Sequence, residues 1–415
     1  MHRWWLLVLV SMGCGPKAKA PKDTSPTDSQ SQTSSTVEDW SADSPHPSCV
    51  DDTGVILATP DEEPHRNYLQ DGFDRYTAVE AVSGGAVYLY AQSEVSDLKL
   101  LRARSLLRFF VSDVPDSTWG TDKADVLESM VDNRAALIMP NGAHAPNNEY
   151  HLPAQPLYDD ETPLAGSNWF MNNDWGHRDA AFEEIFHLVH DAGIGTYLPG
   201  ARPEYQADLD AEARAAIEDG RWGIPVDPGV EQWLDELERE NSLAQEYIAS
   251  VIDSYYGLWG AWDESPGGMW GIYIAGDRDE ISALDPRGQE LLEQFLAPWL
   301  TYEVRLDPEF SGTFSLNFDP DEPYTHKTRY MTWVTATGSR DVHLIGNEED
   351  NTLRGNHADN LIDGGLGTDT VVYCDHRDAY VLDEYQGDVA VSGPQGEDTL
   401  RDVERIHFAD GVLTL

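Results

Sequence analysis

Three consecutive nine-residue units constrain this chain more than any other feature. They read Gly-Asn-Glu-Glu-Asp-Asn-Thr-Leu-Arg from Gly346, Gly-Asn-His-Ala-Asp-Asn-Leu-Ile-Asp from Gly355 and Gly-Gly-Leu-Gly-Thr-Asp-Thr-Val-Val from Gly364. The third unit fits the pattern G-G-x-G-x-D-x-U-x at every position. The first two keep its frame, with Asn351 and Asn360 where the third has Asp369, and Leu353 and Ile362 where it has Val371. A period of this length gives about six residues of turn and about three of strand. The apolar residue near the end of each unit points inward and stacks on its neighbours, and glycines permit the positive φ of the turn. Oxygens at the sixth position, together with backbone carbonyls, suit a hard cation that takes several oxygen ligands.

These units resemble the calcium-binding repeat of RTX (haemolysin-type) proteins, and the resemblance implies a parallel β-roll loaded with calcium. One coil of such a roll takes two units, so the turn 346–351 should face the turn 364–369. The implied calcium site uses Asp369 with the carbonyls of Gly364, Gly365 and Gly367, completed by Asn351. Asn360 should face Asp378 on the other edge as a weaker site. The stretch from Gly396 to Gly411 is similar to the strand pairs that cap such rolls in serralysin-type proteins.

Charge and export signals narrow the setting. The formal net charge is −48. From residue 341 to the end there are 17 acidic and 4 basic residues, a balance of −13. Such a surface repels nucleic acid and anionic lipid, attracts divalent cations, and opposes its own folding without them. The start reads Met-His-Arg, then an apolar run from Trp4 to Val10, then Ser11-Met12-Gly13-Cys14. A basic start, a short apolar run and small residues make an export signal too short to span a bilayer. Gly13-Cys14 resembles a bacterial lipobox, with Ser11 in place of its usual Leu, and implies lipidation of Cys14. The Ser/Thr/Pro/Asp-rich stretch that follows has little to bury and reads as a disordered tether. The two remaining cysteines, Cys49 and Cys374, are able to pair in an oxidising compartment or to remain free thiols.

Between tether and repeats the periodicity predicts helices at about 122–136, 179–192, 207–219, 229–257 and 280–297. Strand-like runs lie at 86–91, 136–139, 313–318 and 330–337. Trp169, Phe170 and Trp175 precede the most informative helix and are placed to line a cleft. At 100° per residue, Glu183, His187 and His190 fall within about 60° of one another, with Asp179 on the same stripe. Such a stripe on a mainly apolar helix needs a partner when buried, and a metal ion is one. The alternative is a solvated acidic side with two histidines complementing the helix C-terminus.

The segment Glu183-Glu184-Ile185-Phe186-His187 resembles the H-E-x-x-H helix of zincin metallopeptidases, with Glu183 where the first His stands. The resemblance implies Glu183 and His187 as ligands of zinc or another transition metal such as manganese or iron, and Glu184 as the general base. His190 is a further candidate ligand. Glu246 is the candidate carboxylate from a later helix, with Asp253 bracing an imidazole and a tyrosine at 255–256 steadying an oxyanion. The alternative places Glu246 on an ordinary solvated helix face.

The expected fold class is therefore α+β: a helix-rich zincin-like central domain followed by a C-terminal parallel β-roll. The expected organisation is a lipoprotein-type signal at 1–13, a tether at 14–50, the central domain at 51–336, and the calcium-binding roll with its capping strands at 337–415. The expected function is that of an exported, lipid-anchored or secreted calcium-binding surface protein with a metal-dependent peptidase-like domain. Its rival is a non-catalytic calcium-dependent adhesion module that binds glycan or protein. The expected partners are calcium ions and a peptide, protein or glycan substrate, with no nucleic acid and with membrane contact only through the lipid anchor.

Overall fold

The computed structural model describes residues 46, 49, 52–145, 148–173 and 178–415. The signal, Cys14, most of the tether, Trp175 and His177 lie outside the described residues. Residues 42–415 form one unit. Its architecture is mixed α/β, with a helical layer and three sheets.

The first sheet has five strands in chain order: Leu57–Ala58, Arg75–Glu80, Ala86–Ala91, Ala136–Met139 and Gln155–Pro156. Its first three strands pair antiparallel and its last three parallel. The run Ala136–Met139 is buried throughout, as a parallel strand covered on both faces must be. The Asp97–Val111 helix packs on this sheet and was not evident from the periodicity. Ser96 caps it by accepting from the Lys99 amide, and Leu100, Ala103, Leu106, Leu107 and Phe110 are buried. The edge of the Phe110 ring meets Phe186 across 5.3 Å, which docks this helix against Ala181–Val189.

The remaining helices follow the expected pattern with breaks where local chemistry demands them. The stretch 229–257 divides into Gly229–Glu240 and Leu243–Tyr255 because Asn241 adopts a left-handed φ of 59° that ends the first helix. The stretch 280–297 divides into Arg278–Leu284 and Pro286–Glu293, with Pro286 opening the second helix and Asp285 capping it.

From Val304 onward the chain alternates between two six-stranded sheets. One contains, in order, Val304–Arg305, Trp333–Thr335, Thr352–Arg354, Thr370–Val372, Arg405–Phe408 and Gly411–Thr414. The other contains Gly312–Ser315, Val342–Ile345, Leu361–Asp363 and Gly396–Arg401, extended by Asp388–Gly393 and Val381–Tyr385. Thr352 pairs with Thr370 and Leu361 with His343, so equivalent strands are two nine-residue units apart, as expected. Val334, Leu344, Leu353, Ile362, Val371, Leu400 and Ile406 point inward and are buried. The alternation starts at Val304, well before the expected boundary at 337. The runs read at 313–318 and 330–337 belong to these two sheets and not to the helical part.

Cys49 and Cys374 form a disulfide that joins the start of the described chain to the segment after Thr370–Val372. His46 follows the same path and packs edge-on against Trp333 and His407. Among the described residues, no helix is long and apolar enough to cross a membrane.

Candidate metal centre

Every residue of the Ala181–Val189 helix is buried. Phe182, Ile185, Phe186 and Val189 account for its placement, each contributing about 1.5–3 kcal/mol by leaving water. Burial forces every polar residue on the same helix to find a partner. Asp179, just before the helix, is held by Arg102 through two hydrogen bonds of 3.0 and 2.6 Å, and its carboxylate accepts from the Ala181 amide. It is therefore engaged structurally and lies outside the cluster described next.

Glu183, His187 and Glu246 converge. Among the described residues, their ligand atoms form one group lying within 4.8 Å of one another. Glu246 reaches this point from the Leu243–Tyr255 helix, with Oε1 3.7 Å from His187 Nε2. Donor atoms around a tetrahedral zinc, each about 2.1 Å from the ion, stand about 3.4 Å apart, so small side-chain rotations close the shell. On the buried His187 ring, Nε2 has no hydrogen-bond partner. An imidazole left so costs free energy unless an ion or a strong acceptor engages it.

The electrostatics agree. Burial alone would depress His187, but Glu246, then Glu184 and Asp191, hold its pKa above the usual value. Burial pushes Glu246 up as well, against the pull of His187 and Arg178. Both groups thus hold their protons to a higher pH than usual among neighbouring carboxylates, whose charge a bound cation relieves.

Glu184 takes a different place from the one expected. Its Oε2 accepts from Gln155 Nε2 at 2.5 Å and lies 3.5 Å from His187 Nδ1, on the side of the ring away from the Glu246 contact. A carboxylate there fixes the tautomer of a ligating imidazole and raises its basicity. The carboxylate beside Nδ1 is that of Glu184, whereas Asp253 was the residue expected to brace an imidazole. His190 is also turned elsewhere. Its Nε2 bonds Gln206 of the Pro203–Glu218 helix, and it stands at the entry to a π-helical turn, His190–Gly195, that departs from α-helical register. The tyrosines expected to steady an oxyanion are likewise committed, Tyr255 OH to Glu293 and Tyr256 OH to the Ala297 carbonyl.

A narrow cavity of about 30 Å³ adjoins the cluster, with Trp169, Phe170, Arg178, Asp253, Trp259 and Lys327 in its walls. Trp169 and Phe170 line it as expected. Lys327 donates to the Phe170 carbonyl at 2.9 Å, and burial lowers its pKa to about 7. Asp253 is 1% exposed. Its Oδ2 accepts from Trp259 Nε1 at 3.4 Å, its Oδ1 has no partner, and burial raises its pKa to about 7. Arg178 pairs with Glu183 and also lines this cavity. Sequence reasoning missed Gln155 and Arg178. Both come from segments without helical periodicity, and only the fold brings them to the helix.

In the two-sheet coil, the sixth residue of each repeat sits at a corner and donates its backbone amide to a side-chain oxygen of the next coil. The Asn351 amide donates to Asp369 Oδ1 at 2.8 Å, and the Asp369 amide to Glu404 Oε2 at 2.7 Å. On the other edge the Asn360 amide donates to Asp398 Oδ1 at 2.9 Å. Asn360 therefore faces Asp398 and not Asp378, because the hairpin Val381–Tyr385/Asp388–Gly393 is inserted before the coil resumes. The amides of both asparagines are consumed internally. Asn351 exchanges hydrogen bonds with Asn347, and Asn360 serves Val342, Ala358 and Asp398.

Gly365 and Gly367, with φ of 91° and 116°, lie against the previous coil, where a Cβ would come within 2.8 Å of the Asn347 carbonyl and 2.7 Å of the Glu349 carbonyl. A Cβ at Gly364 would come within 2.1 Å of the Asp402 carbonyl. Of the expected calcium ligands, Asp369 retains a buried oxygen, Oδ2, without a partner. Burial, with the nearby Glu404 and Asp350 carboxylates, raises its pKa to about 7. No protein-family model matches the chain, and no curated protein matches it in sequence.

Proposed function

We propose that the chain is an exported metal-dependent hydrolase carried on a calcium-responsive β-roll, as its resemblance to zincins and RTX proteins implies. One observation carries the reading: Glu183, His187 and Glu246 converge from two helices on a point where Nε2 of the buried imidazole has no hydrogen-bond partner. One nitrogen and two carboxylate donors leave at least one position open for water or substrate, and they suit zinc, manganese or iron. A metal held there would supply Lewis acidity and lower the pKa of water at neutral pH. Glu184 positions His187 through Nδ1, and Gln155 positions Glu184 in turn. The apolar helix faces keep the centre dry, which strengthens every charge interaction within it. Peptide hydrolysis is the reaction we assign.

For the roll, we propose calcium at Asp369 with Glu404 on the same edge, supported by the unpartnered Asp369 oxygen. Export and lipidation at Cys14 are proposed from the sequence alone.

The test is elemental analysis of the purified chain, with hydrolysis of an unfolded protein such as casein, for the native sequence and for Glu246→Gln. The reading expects about one transition metal per chain and measurable hydrolysis, both lost in Glu246→Gln with the circular dichroism spectrum unchanged. A folded native protein that takes up no transition metal from solution overturns it.

A further inference from the structure

Arg178 stands where a metal would need its ligand. Its guanidinium is ion-paired with Glu183, and it also acts on the neighbouring Glu246 carboxylate. A metal ion at the cluster requires the same Glu183 oxygens, and one carboxylate buried this deeply does not serve a guanidinium and an ion equally well. Among the described residues, Arg178 also approaches Met269 Sδ at 3.8 Å and the Trp270 ring at 5.7 Å, and its charge acts on Glu161.

A second carboxylate shares its cavity. Asp253 lines the same cavity as Arg178, and Arg178 is the foremost charge acting on it. Asp253 is almost fully buried, and its Oδ1 has no hydrogen-bond partner. It lies two turns beyond Glu246 on the Leu243–Tyr255 helix, about 10 Å along the axis. A buried carboxylate with an unpartnered oxygen destabilises the fold unless some state of the protein supplies a donor.

We propose that Arg178 is a metal-exchanged switch: it competes with the metal for Glu183, and when the ion takes Glu183 the guanidinium transfers to Asp253. The proposal rests on the metal-centre reading above. Its consequence is that the metal is resisted by one ion pair and rewarded by another, so occupancy is tuned by two residues that never touch the ion. The exchange also moves a guanidinium along the cavity wall, so metal occupancy sets the charge the cavity presents.

The test is a double-mutant cycle on zinc affinity. The full chain is stripped with chelator and titrated with zinc chloride against a chromophoric competitor, using native protein, Arg178→Gln, Asp253→Asn and the double variant. Removing the competitor should tighten zinc about tenfold or more, and removing the receiving carboxylate should weaken it by a similar factor. Simple charge removal gives the same two signs, so the decisive readout is non-additivity. Once Arg178 is gone, Asp253→Asn should change affinity by less than about twofold. Additive effects in a native protein that binds zinc overturn the switch and leave the metal centre standing. Failure of all four proteins to bind zinc overturns both. Binding by Arg178→Gln but not by the native chain overturns both as well, because a native chain closed to zinc makes no exchange. Should Arg178→Gln not fold, Arg178→Met keeps the alkyl stem packed on Trp270 while removing the charge.

Discussion

Replacing Glu184 by Gln separates two roles that one carboxylate can play beside a metal. The zincin resemblance makes it the base, so that hydrolysis is lost while metal remains. The structure places it behind the imidazole, 3.5 Å from His187 Nδ1 and 2.5 Å from Gln155 Nε2. The substitution preserves volume and an oxygen for Gln155, so the fold should be unaffected. At an effective dielectric of about 20, a full charge pair at that separation is worth about 5 kcal/mol, which sets an upper limit. A ligating imidazole carries only part of that charge. Loss of such outer partners weakens metal affinity by about 10–100-fold, or about 1.4–2.8 kcal/mol. Competition titration with a chromophoric chelator should therefore show zinc weakened by that factor in Glu184→Gln. Hydrolysis at saturating zinc should be largely retained. Unchanged affinity with hydrolysis lost by about 100-fold or more would refute the positioning role and return Glu184 to the water.

Three further outcomes follow from the same geometry. His187 and Glu246 both hold protons above their usual range, so metal uptake should release protons and affinity should fall on acidification; calorimetry in buffers of different ionisation enthalpy reads this directly. Asn351→Ala strands the buried Asn347 amide and removes two side-chain hydrogen bonds, and should destabilise the coil by about 1–3 kcal/mol in urea unfolding. Asp369 is raised from 3.8 to about 7, so its contribution to stability is full below about pH 4 and lost as pH rises through about 7. In EGTA the native coil should melt higher at pH 5 than at pH 8, by no more than about 2 kcal/mol of stability after solvent screening; Asp369→Asn should flatten that dependence, and calcium should restore the native coil at pH 8.

The parts of this structure legible in the sequence are those fixed by local period. A nine-residue repeat determines where corners and inward residues fall, so the pairing of Thr352 with Thr370 and the burial of Leu353, Ile362 and Val371 follow without further information. The same logic fails where the period breaks. The inserted hairpin moved the partner of Asn360 from Asp378 to Asp398, and the coils between Val304 and Ile345 carry no repeat that would have announced them. Helical phase likewise gave Glu183 and His187 a common face. It could not give the partners that other elements bring to that face: Gln155 from a strand end, Arg178 from outside the helix, and Gln206, which removes His190 from the cluster. The difference decides chemistry. A helical wheel treats Glu184 as one more acid on the stripe. The strand end at Gln155 holds it beside Nδ1, and on that contact, invisible in the order of residues, rests our proposal that it is a positioning group.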